Sequence, residues 1–445
     1  MAGECQYQSE VNQWVFGYDT SLVYPESRVL QFIYSQLIRL VLPFILFRLW
    51  WQGRRAPELR RNWYQRLGFV SGYDGVVVWV HAVSVGETIA AGPMVRRLLA
   101  RNPGITILMT AMTDTGLAQA KKMFGDKVQY AYAPYDTPGS IRRFLRRARP
   151  KILVIMETEI WPNMIRQCRA SQVPVFLINA RLSERSAQGY ERIRSLAAPI
   201  MQSISWVAAQ AEKDAERFSR IGVASEKVAV TGSVKFDVDI TEDVRQASRE
   251  LRQDLGDRVV WIAGSTHAGE DAQLLDAHQK VLAAHPRALL IIVPRHPERF
   301  ESVAGEVEIA GLSVARRSLG DSAASANVYL ADTMGELMML YGASDIAFVG
   351  GSLIERGGHN PLEPAAWGIP VFSGPHVFNF ETIYQRLLDD SGVKLVANAD
   401  ELASHLIQLI SNDDERRNIG ARALAVVNKN RGALDRVVDG IVERV

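Results

Sequence analysis

The sequence predicts an α/β protein with two Rossmann-like domains that face each other across a cleft, preceded by a membrane-anchoring helix. Short apolar runs of strand length alternate with helical segments over residues 76–230, and the alternation resumes over residues 259–372. A polar, helix-favouring stretch at 241–257 separates the two series. The third observation is a long apolar segment at 29–51. Such alternation is typical of doubly wound parallel sheets, which bind ligands beyond the carboxyl ends of their strands.

The composition is that of an ordinary globular protein without a large net charge. The chain has 445 residues, of which 47% are hydrophobic and 22% charged, and its formal net charge is +2. No overall electrostatic field therefore points to a nucleic acid partner. The two cysteines, Cys5 and Cys168, are too few for a metal cluster or a disulfide framework, which fits a reducing compartment.

The segment 29–51 is about as long as a membrane-spanning helix. Its apolar run is interrupted by Gln31, Gln36, Arg39 and Pro43, and a stretch dense in arginine and tryptophan follows it. Arginines on one flank predict that the body of the protein is cytoplasmic. Two membrane placements stay open, a single span or a helix lying in the interface. A core helix of a soluble domain is a third interpretation.

Each predicted element of the body follows from a local pattern. The first series has buried strands at 76–80, 105–110, 128–132, 152–156, 173–178, 206–209 and 228–230, with helices at 87–100, 115–124 and 140–149 among them. The second series has strands at 259–263, 289–293, 328–330, 346–349 and 371–372, and helices close the chain from Glu401. We divide the chain into an unassigned extension (1–28), an anchor with a basic belt (29–70), a first Rossmann-like domain (71–240), a linker (241–257) and a second Rossmann-like domain (258–445).

A glycine-rich turn follows the strand at 346–349 and leads into a helix start. Asn360 suits the N-cap and Pro361 the first helical position. Converging backbone N–H groups and a helix N-terminus favour a phosphate, and Glu363 is placed to accept hydrogen bonds from a ribose. The alternative is an ordinary tight connection that ends in a capped helix.

The polar residues just past the strands differ between the two halves. The second half offers phosphate and ribose contacts, namely Ser265, Thr266, Arg295, His296 and His359. The first half offers two carboxylates, Glu87 and Glu157, with Lys235. A carboxylate in such a position can act as a general base, and a cation can stabilise a leaving phosphate. The alternatives are that Glu87 is only a favourable dipole partner of its helix and that Lys235 is only a solvated loop residue.

Three common types of site are not indicated. No Asp-x-Asp pair stands at a strand end, so a divalent-metal site of that type is not expected. Neither a P-loop nor a G-x-S-x-G elbow occurs.

Several of these strand-end segments, taken in order, resemble one enzyme family. They are HAVSVGET, ETEIWPN, NARLSERS, TGSVKFD, GSTHAGED, PRHPERF, DTMGEL, FVGGSL and GGHNPLEPA. Together they resemble the lipid IVA 3-deoxy-D-manno-octulosonic acid (Kdo) transferases of Gram-negative lipopolysaccharide synthesis, glycosyltransferase family 30. The resemblance runs from about Val29 almost to the end of the chain.

This resemblance implies a GT-B glycosyltransferase of the bacterial inner membrane, with its catalytic body on the cytoplasmic side. The donor would be CMP-Kdo, bound by the second domain, and the acceptor lipid IVA, bound by the first. The transfer to the 6′-hydroxyl would invert configuration, with Glu87 as the general base and Glu157 and Lys235 as transition-state stabilisers. The residues that match the family's CMP-binding segments are Pro294, Arg295, Met334, Gly335, Glu336, Asn360, Pro361, Leu362 and Glu363.

Arginines of the basic belt would meet the phosphates of lipid IVA and of anionic headgroups, namely Arg54, Arg55, Arg60 and Arg61, with Arg39, Arg48 and Arg66 nearby. No metal or other cofactor is expected. A sugar-nucleotide epimerase of the same fold and a membrane-tethered nucleotide-binding protein without catalysis remain as alternatives. The number of Kdo units transferred and the oligomeric state stay open.

Overall fold

A computed structural model describes residues 25–54 and 62–444. The chain divides into two compact units, one formed by Met1–Val234 with Gly432–Val445 and the other by Lys235–Arg431. Each unit is built on one seven-stranded sheet in which every strand pair is parallel. The predicted class, α/β with two doubly wound parallel sheets, is confirmed.

The first helix, α1 (Pro25–Gln52), contains the predicted anchor. It continues through Pro43, which removes one hydrogen bond without ending the helix. Within the described residues, the part Val29–Gln52 is long and apolar enough to cross a membrane by length and composition, and only 6% of it is buried. A core helix of a soluble domain would be largely buried, so this interpretation does not fit the structure.

The first unit continues as an alternation of strands and helices. Its strands are β1 (Val76–His81), β2 (Ile105–Ala111), β3 (Gln129–Tyr132), β4 (Pro150–Met156), β5 (Val175–Ala180), β6 (Trp206–Ala209) and β7 (Val228–Val230). Its helices are α2 (Val85–Arg101), α3 (Asp114–Phe124), α4 (Pro138–Ala148), α5 (Pro162–Ala170), α6 (Glu184–Arg192), α7 (Arg194–Met201) and α8 (Glu212–Arg220).

The second unit repeats the pattern. Its strands are β8 (Val260–Thr266), β9 (Leu289–Pro294), β10 (Val314–Arg316), β11 (Val328–Leu330), β12 (Ile346–Val349), β13 (Val371–Ser373) and β14 (Val393–Leu395). Its helices are α9 (Glu242–Leu255), α10 (Asp271–Ala284), α11 (Phe300–Ile309), α12 (Leu337–Gly342), α13 (Leu362–Ala366), α14 (Glu381–Asp389), α15 (Ala399–Ser411) and α16 (Asp413–Asn430). The two edge strands, β10 and β14, were not predicted, because the charged residues Arg316 and Lys394 interrupt their short apolar runs.

The cores lie on both faces of each sheet, which explains the continuous apolar runs of the strands. Strand β1 directs Val77 and Trp79 into one cluster and Val78 and Val80 into the other. In the second sheet, Trp261 packs on one face, and its neighbour Ile262 packs on the opposite one. Burial on both faces leaves the ends of the strands as the places where polar side chains can meet a ligand.

The division of the chain differs from the expected one at two places. The last helix, α17 (Ala433–Val442), belongs to the first unit, where it packs in the same apolar cluster as α2. An ion pair between Arg97 and Asp435, 2.7 Å long, joins the two helices. The expected linker is helix α9, which packs on the second unit through Leu251 and Leu255. The apolar stripe of each helix decides its partner, whatever its place in the chain.

Candidate active site

In each sheet the strand order reverses once. Glu87, Glu157 and Ser265 lie at these points, whereas Lys235 and Met334–Glu336 follow strands farther along the sheets. The first sheet has the order β3-β2-β1-β4-β5-β6-β7, so the reversal lies between β1 and β4. The second has the order β10-β11-β9-β8-β12-β13-β14, with the reversal between β8 and β12. Loops that leave neighbouring strands in opposite directions open a crevice there, which is where α/β sheets bind ligands.

Glu87 stands at the reversal of the first sheet, in the first turn of α2. Ser84 caps the helix by accepting a hydrogen bond from the Glu87 amide, 3.2 Å away. The Glu87 carboxylate in turn accepts from the Val83 amide at 2.7 Å and from the Ser84 hydroxyl at 3.0 Å. This is a capping box, so Glu87 has the helix-stabilising role that was the alternative to catalysis. Its carboxylate is held in one orientation as a result.

The surroundings of Glu87 make it a stronger base than an ordinary glutamate. Burial raises the pKa of its carboxyl, and the negative charges of Glu159 and Glu157 raise it further, against the two capping hydrogen bonds. Both neighbours follow β4 on the other side of the reversal. The structure therefore brings Glu87 and Glu157 together within one unit. It adds Glu159, whose carboxylate accepts from the indole of Trp161 at 2.9 Å.

Glu157 and Lys235 occupy special positions in the chain. Glu157 directly follows β4 with a backbone φ of 58°, a left-handed conformation that non-glycine residues seldom adopt. Its amide donates to the Ile178 carbonyl at 2.8 Å, so the neighbouring strand holds it in that conformation. Lys235 lies in a short 3₁₀ turn, Val234–Phe236, and is the first residue of the second unit. Strained backbone at a strand end is a frequent feature of functional sites.

Two buried polar residues at the same edge were not among the predicted site residues. His81, the last residue of β1, is fully buried and packs edge-on against Trp161, with ring centroids 5.3 Å apart. Burial lowers the pKa of His81 to about 4, so the ring is neutral. Asn179 lies near the end of β5 and has a φ of 55°. Its side-chain oxygen accepts a hydrogen bond from the Ser233 hydroxyl at 3.2 Å. Their signal in the sequence is a polar residue closing an apolar strand.

The glycine-rich loop of the second unit is organised around a buried carboxylate. Glu270 is fully buried, and its oxygens accept from the amides of Gly351 at 2.6 Å, Ser352 at 2.9 Å and Leu353 at 2.9 Å. A fourth amide, that of His267, donates to it at 3.0 Å. The loop amides that were expected to bind a phosphate are therefore already hydrogen-bonded within the protein. Helix α13 has five residues, too short for an appreciable dipole at its N-terminus.

Close backbone approach explains why this loop begins with glycine. A Cβ atom on Gly350 would lie 2.7 Å from the carbonyl oxygen of Ser265. Ser265 lies near the end of β8, where the pairing register shifts, and has a φ of 60°. Any side chain at position 350 would separate the β8 and β12 loops. Gly350 therefore allows the two loops to contact each other at the strand reversal. Because the loop amides are also occupied, a ligand at this place would be bound mainly by side chains.

Three histidines meet where the β8, β9 and β12 loops come together. The Nε2 atoms of His267 and His359 are 2.9 Å apart, and their rings are nearly coplanar at 4°. The ring of His296 lies edge-on to His267, 5.2 Å between centroids. Burial, together with the nearby His267 and Arg295, lowers the pKa of His359 to about 4. Burial and nearby arginines also lower the pKa of His267. The cluster offers N–H donors in a region of positive potential.

Ser265 and Thr266 differ in their access to a ligand. Ser265 lies at the strand reversal beside Gly350. Thr266 is fully buried, and its hydroxyl donates to the Asp271 carboxylate at 2.6 Å. The predicted contact between the Thr266 side chain and a donor substrate is therefore not supported. Arg295 is exposed at the end of β9, within electrostatic reach of His359 and Glu363.

Helix α13 begins one residue later than predicted, with Pro361 rather than Asn360 at its N-cap position. The Asn360 side-chain oxygen accepts from the Leu362 amide at 3.1 Å, and its amide nitrogen lies 3.4 Å from the Glu363 carboxylate. Burial raises the pKa of Glu363. Pro361 and Leu362 are buried, so they can meet a ligand only through their backbone. Asn360 and Glu363 are the members of the segment 360–363 with polar side chains near the histidines.

The third predicted CMP-binding segment, Met334–Glu336, follows β11, which pairs with β9. Met334 is 52% exposed. Gly335 has a φ of 92° with open space where a Cβ would be, so backbone conformation alone selects glycine. The Glu336 carboxylate forms a two-pronged ion pair with Arg317 at 2.6 Å, which lowers the pKa of Glu336. Glu336 is therefore a fixed anchor of the loop.

The basic belt lies only partly within the described residues. Arg54 is exposed and stacks on Trp50 and Trp51, at 4.4 and 5.0 Å from the ring centroids. Arg55, Arg60 and Arg61 lie outside the described residues. Arg66 is buried, with its guanidinium 4.1 Å from the Tyr132 ring and donating to the Met112 carbonyl at 2.8 Å. Arg66 therefore cannot meet a lipid phosphate as expected, because folding has enclosed its side chain.

The described residues contain no group of three or more His, Cys, Asp or Glu side chains placed to hold a metal ion. Arg295, Arg299 and Arg356 act electrostatically on His267, and the exposed carboxylate of Glu298 lies 3.9 Å from Nδ1 of His296. This combination suits an anionic ligand better than a cation.

Comparison with known proteins agrees with this chemistry. The sequence profile of the family described as 3-deoxy-D-manno-octulosonic-acid transferase (kdotransferase) matches residues 61–238. The chain is 40% identical over 415 residues to a 3-deoxy-D-manno-octulosonic acid transferase of Haemophilus influenzae, covering 92% of this chain and 97% of that protein. A transferase of the same name from Bordetella pertussis is 35% identical over 427 residues, 92% of this chain and 98% of that one.

A solved structure supports the fold. The UDP-GlcNAc 2-epimerase of Neisseria meningitidis superposes with a TM-score of 0.56 at 16% identity, covering 82% of this chain and 99% of that one. At that identity the likeness concerns the fold alone, and it confirms the GT-B-like class. The extent and identity of the transferase matches decide the family: this chain is a glycosyltransferase that belongs to the 3-deoxy-D-manno-octulosonic acid transferases.

Proposed function

We propose that this enzyme transfers Kdo from CMP-Kdo to the 6′-hydroxyl of lipid IVA by a single inverting displacement. The observation that carries the proposal is the environment of Glu87. Its carboxylate is buried at the strand reversal of the first unit, its pKa is raised, and its orientation is held by the capping box. A carboxylate with these properties is suited to accept a proton from a substrate hydroxyl.

In the proposed reaction Glu87 takes the proton of the lipid hydroxyl as its oxygen attacks the anomeric carbon of Kdo. The bond from that carbon to the CMP phosphate oxygen breaks, and CMP leaves with the electron pair. Charge builds up on an oxocarbenium-like sugar and on the departing phosphate, as in other glycosyl transfers. Lys235 balances the negative charge, and Glu157 orients or stabilises the electron-poor sugar.

The second unit binds CMP-Kdo in this proposal, mainly through side chains. Arg295, His296 and His359 face the phosphate as donors, with Ser265 beside them. Asn360 and Glu363 bind the ribose, and Pro294, Pro361 and Leu362 contribute backbone. Met334 and Gly335 form the wall on the β11 side, where Glu336 holds the loop through Arg317. His267 joins this group through its contact with His359.

We place the enzyme on the cytoplasmic face of the bacterial inner membrane, with α1 lying along the body rather than crossing the bilayer alone. Two residues in the middle of α1 support this placement. The Tyr34 hydroxyl donates to Asp136 at 2.9 Å, and the Ser35 hydroxyl to Asn163 at 2.8 Å. Exposed apolar residues of the same helix remain for the lipid. Removal of residues 1–24 should leave transfer intact, whereas removal of α1 should release the protein from membranes.

The decisive experiment supplies CMP-Kdo with and without lipid IVA. We expect CMP release only when lipid IVA is present, and mass spectrometry should show a glycolipid heavier by whole Kdo units, which also counts them. CMP release without the acceptor would contradict the proposal and favour hydrolysis or epimerase-like chemistry. EDTA should change the rate less than about twofold, because the proposed charge stabilisation comes from side chains. Loss of transfer in EDTA would overturn that part.

A further inference from the structure

A groove in the first unit lies between α1 and the body. Its volume is about 690 Å³. Helices α4, α5 and α7 form its other wall, and none of the predicted catalytic or donor-binding residues lines it. The groove therefore has no role in the proposed transfer.

The charge of this groove is one-sided. Four exposed arginines line it, Arg39, Arg142, Arg166 and Arg169, and no acidic residue does. Within residues 25–54 and 62–444, none of the four forms an ion pair with a carboxylate within 4.0 Å. Asp136 lies behind the groove close enough for Arg166 to act on it, but its oxygens already accept hydrogen bonds from Tyr34, Asn163 and Met164.

Neighbouring protein atoms hold two of these guanidinium groups in place. Arg169 donates to the Ser203 hydroxyl at 3.1 Å, and Arg142 lies 3.5 Å from the Gln167 side chain. Like charges gathered in one groove repel one another, so they are stable together mainly when an anion is bound. A phosphate, which guanidinium groups bind in a two-pronged manner, fits this requirement.

Helix α1 adds an apolar surface beside the arginines of the groove. Phe32 of α1 lines the groove and is 62% exposed, and Leu40 and Phe44 farther along the helix are 70% and 73% exposed. Gln31 and Gln36 add polar contacts beside the arginines. A ligand with a phosphate head in the groove and acyl chains along α1 would satisfy both surfaces.

We propose that this groove binds the headgroup phosphate of an anionic membrane glycerophospholipid, and so docks the first unit on the bilayer beside α1. The inference rests on the proposed placement of α1 in the membrane. The groove includes none of the predicted catalytic or donor-binding residues, and of the arginines expected to meet lipid phosphates it includes Arg39. The proposal predicts that membrane binding by the full chain depends on anionic lipid and on the groove arginines.

The test uses the full-length protein and vesicles of phosphatidylcholine with and without phosphatidylglycerol. The double variant Arg142→Gln/Arg169→Gln should lose the added affinity for phosphatidylglycerol vesicles, by about fivefold per arginine and so about 25-fold in all. The matched control is Arg185→Gln/Arg192→Gln, which removes the same charge from exposed positions on α6. The control should change affinity no more than about twofold. Phosphatidylglycerol should copurify with the wild-type protein and be lost from the groove variant, as read by mass spectrometry.

Five outcomes would overturn the proposal. Equal losses in both double variants would mean diffuse surface electrostatics. Displacement of the protein from vesicles by inorganic phosphate, but not by chloride at the same ionic strength, would mean a free-phosphate site. If the groove variant had a higher KM for lipid IVA than the wild-type protein in phospholipid-free detergent, the groove would be part of the acceptor site. Failure of the wild-type protein to bind any vesicle would remove the membrane placement as well, whereas binding to phosphatidylcholine with no groove effect would leave that placement standing.

Discussion

The ends of the two sheets share a topology and differ in chemistry. In both units the strand order reverses once, and loops from neighbouring strands meet at that point. In the first unit the reversal gathers carboxylates, Glu87, Glu157 and Glu159, beside the neutral His81. In the second it gathers His267, His296 and His359 with Arg295, while the nearby carboxylate of Glu270 is buried within the loop.

The comparison teaches that the same scaffold can supply either a base or an anion site, depending on where its carboxylates find partners. Glu87 has two hydrogen bonds and two like-charged neighbours, which leaves it basic. The Glu270 carboxylate accepts hydrogen bonds from four backbone amides, so its role is to hold the loops together. Burial alone does not distinguish these two glutamates, because both are buried. They differ in the number of hydrogen-bond donors that surround the carboxylate.

The strongest test of the comparison is Glu87→Gln. Loss of a general base lowers transfer by about 10²- to 10⁴-fold, while CMP binding by the second unit stays nearly intact. Product formation and CMP affinity should be measured on the same preparation. The matched control is Glu212→Gln, an exposed acid in the first turn of α8. Normal transfer by Glu87→Gln would remove the base assignment.

The counterpart in the second unit is Glu270→Gln. An amide group offers one acceptor and brings two donors toward four backbone N–H groups, so we expect a loss of about 2–4 kcal/mol in the free energy of unfolding. CMP affinity should fall with it, because the β8 and β12 loops lose their common anchor. Urea unfolding and CMP titration measure the two effects. Glu308→Gln, exposed on α11, is the control. Unchanged stability would mean that the loop has another anchor.

The pH dependence of transfer sharpens the assignment of Glu87. The base must be ionised, and its pKa is raised above the ordinary 4.5, chiefly by burial. Transfer should therefore fall about tenfold per pH unit below that raised pKa, at a higher pH than an ordinary glutamate would give. The measurement is kcat/KM for lipid IVA at constant ionic strength. Glu159→Gln should shift the acid limb to lower pH, because it removes a neighbouring negative charge. An acid limb that does not move would contradict this coupling.

The smallest expected effect concerns the contact of α1 with the first unit. The double variant Tyr34→Phe/Ser35→Ala removes two hydrogen bonds, each worth about 0.5–1.5 kcal/mol. The melting temperature in detergent should fall by about 2–4 °C per kcal/mol lost. Tyr64→Phe is the control, because within the described part of the chain the Tyr64 hydroxyl bonds to the exposed Asn62 side chain. Equal melting temperatures for the two variants would show that α1 is held by its apolar contacts alone.

Much of the site could be predicted from strand-end residues, because a residue that closes an apolar run must lie at an edge of the sheet. Glu87, Glu157, Arg295, Asn360 and Glu363 were found in that way, and the structure brings them to the two reversals in their respective units. Their roles toward a ligand stay predictions. His267 and Glu270 stand in the same motif as Ser265, but nothing local distinguishes a ligand donor from a buried anchor.

The sequence by itself determined the alternation of strands and helices, the apolar α1 and the family, since these depend on patterns a few residues long or on motifs in order. Only the tertiary structure decided that Glu270 uses the amides of the glycine loop, that Thr266 and Arg66 are enclosed, and that α17 joins the first unit. Hydrogen-bond partners and desolvation depend on residues far apart in the chain. These hydrogen-bond partners and buried environments form only when the helices and strands pack together, so local sequence patterns do not determine them.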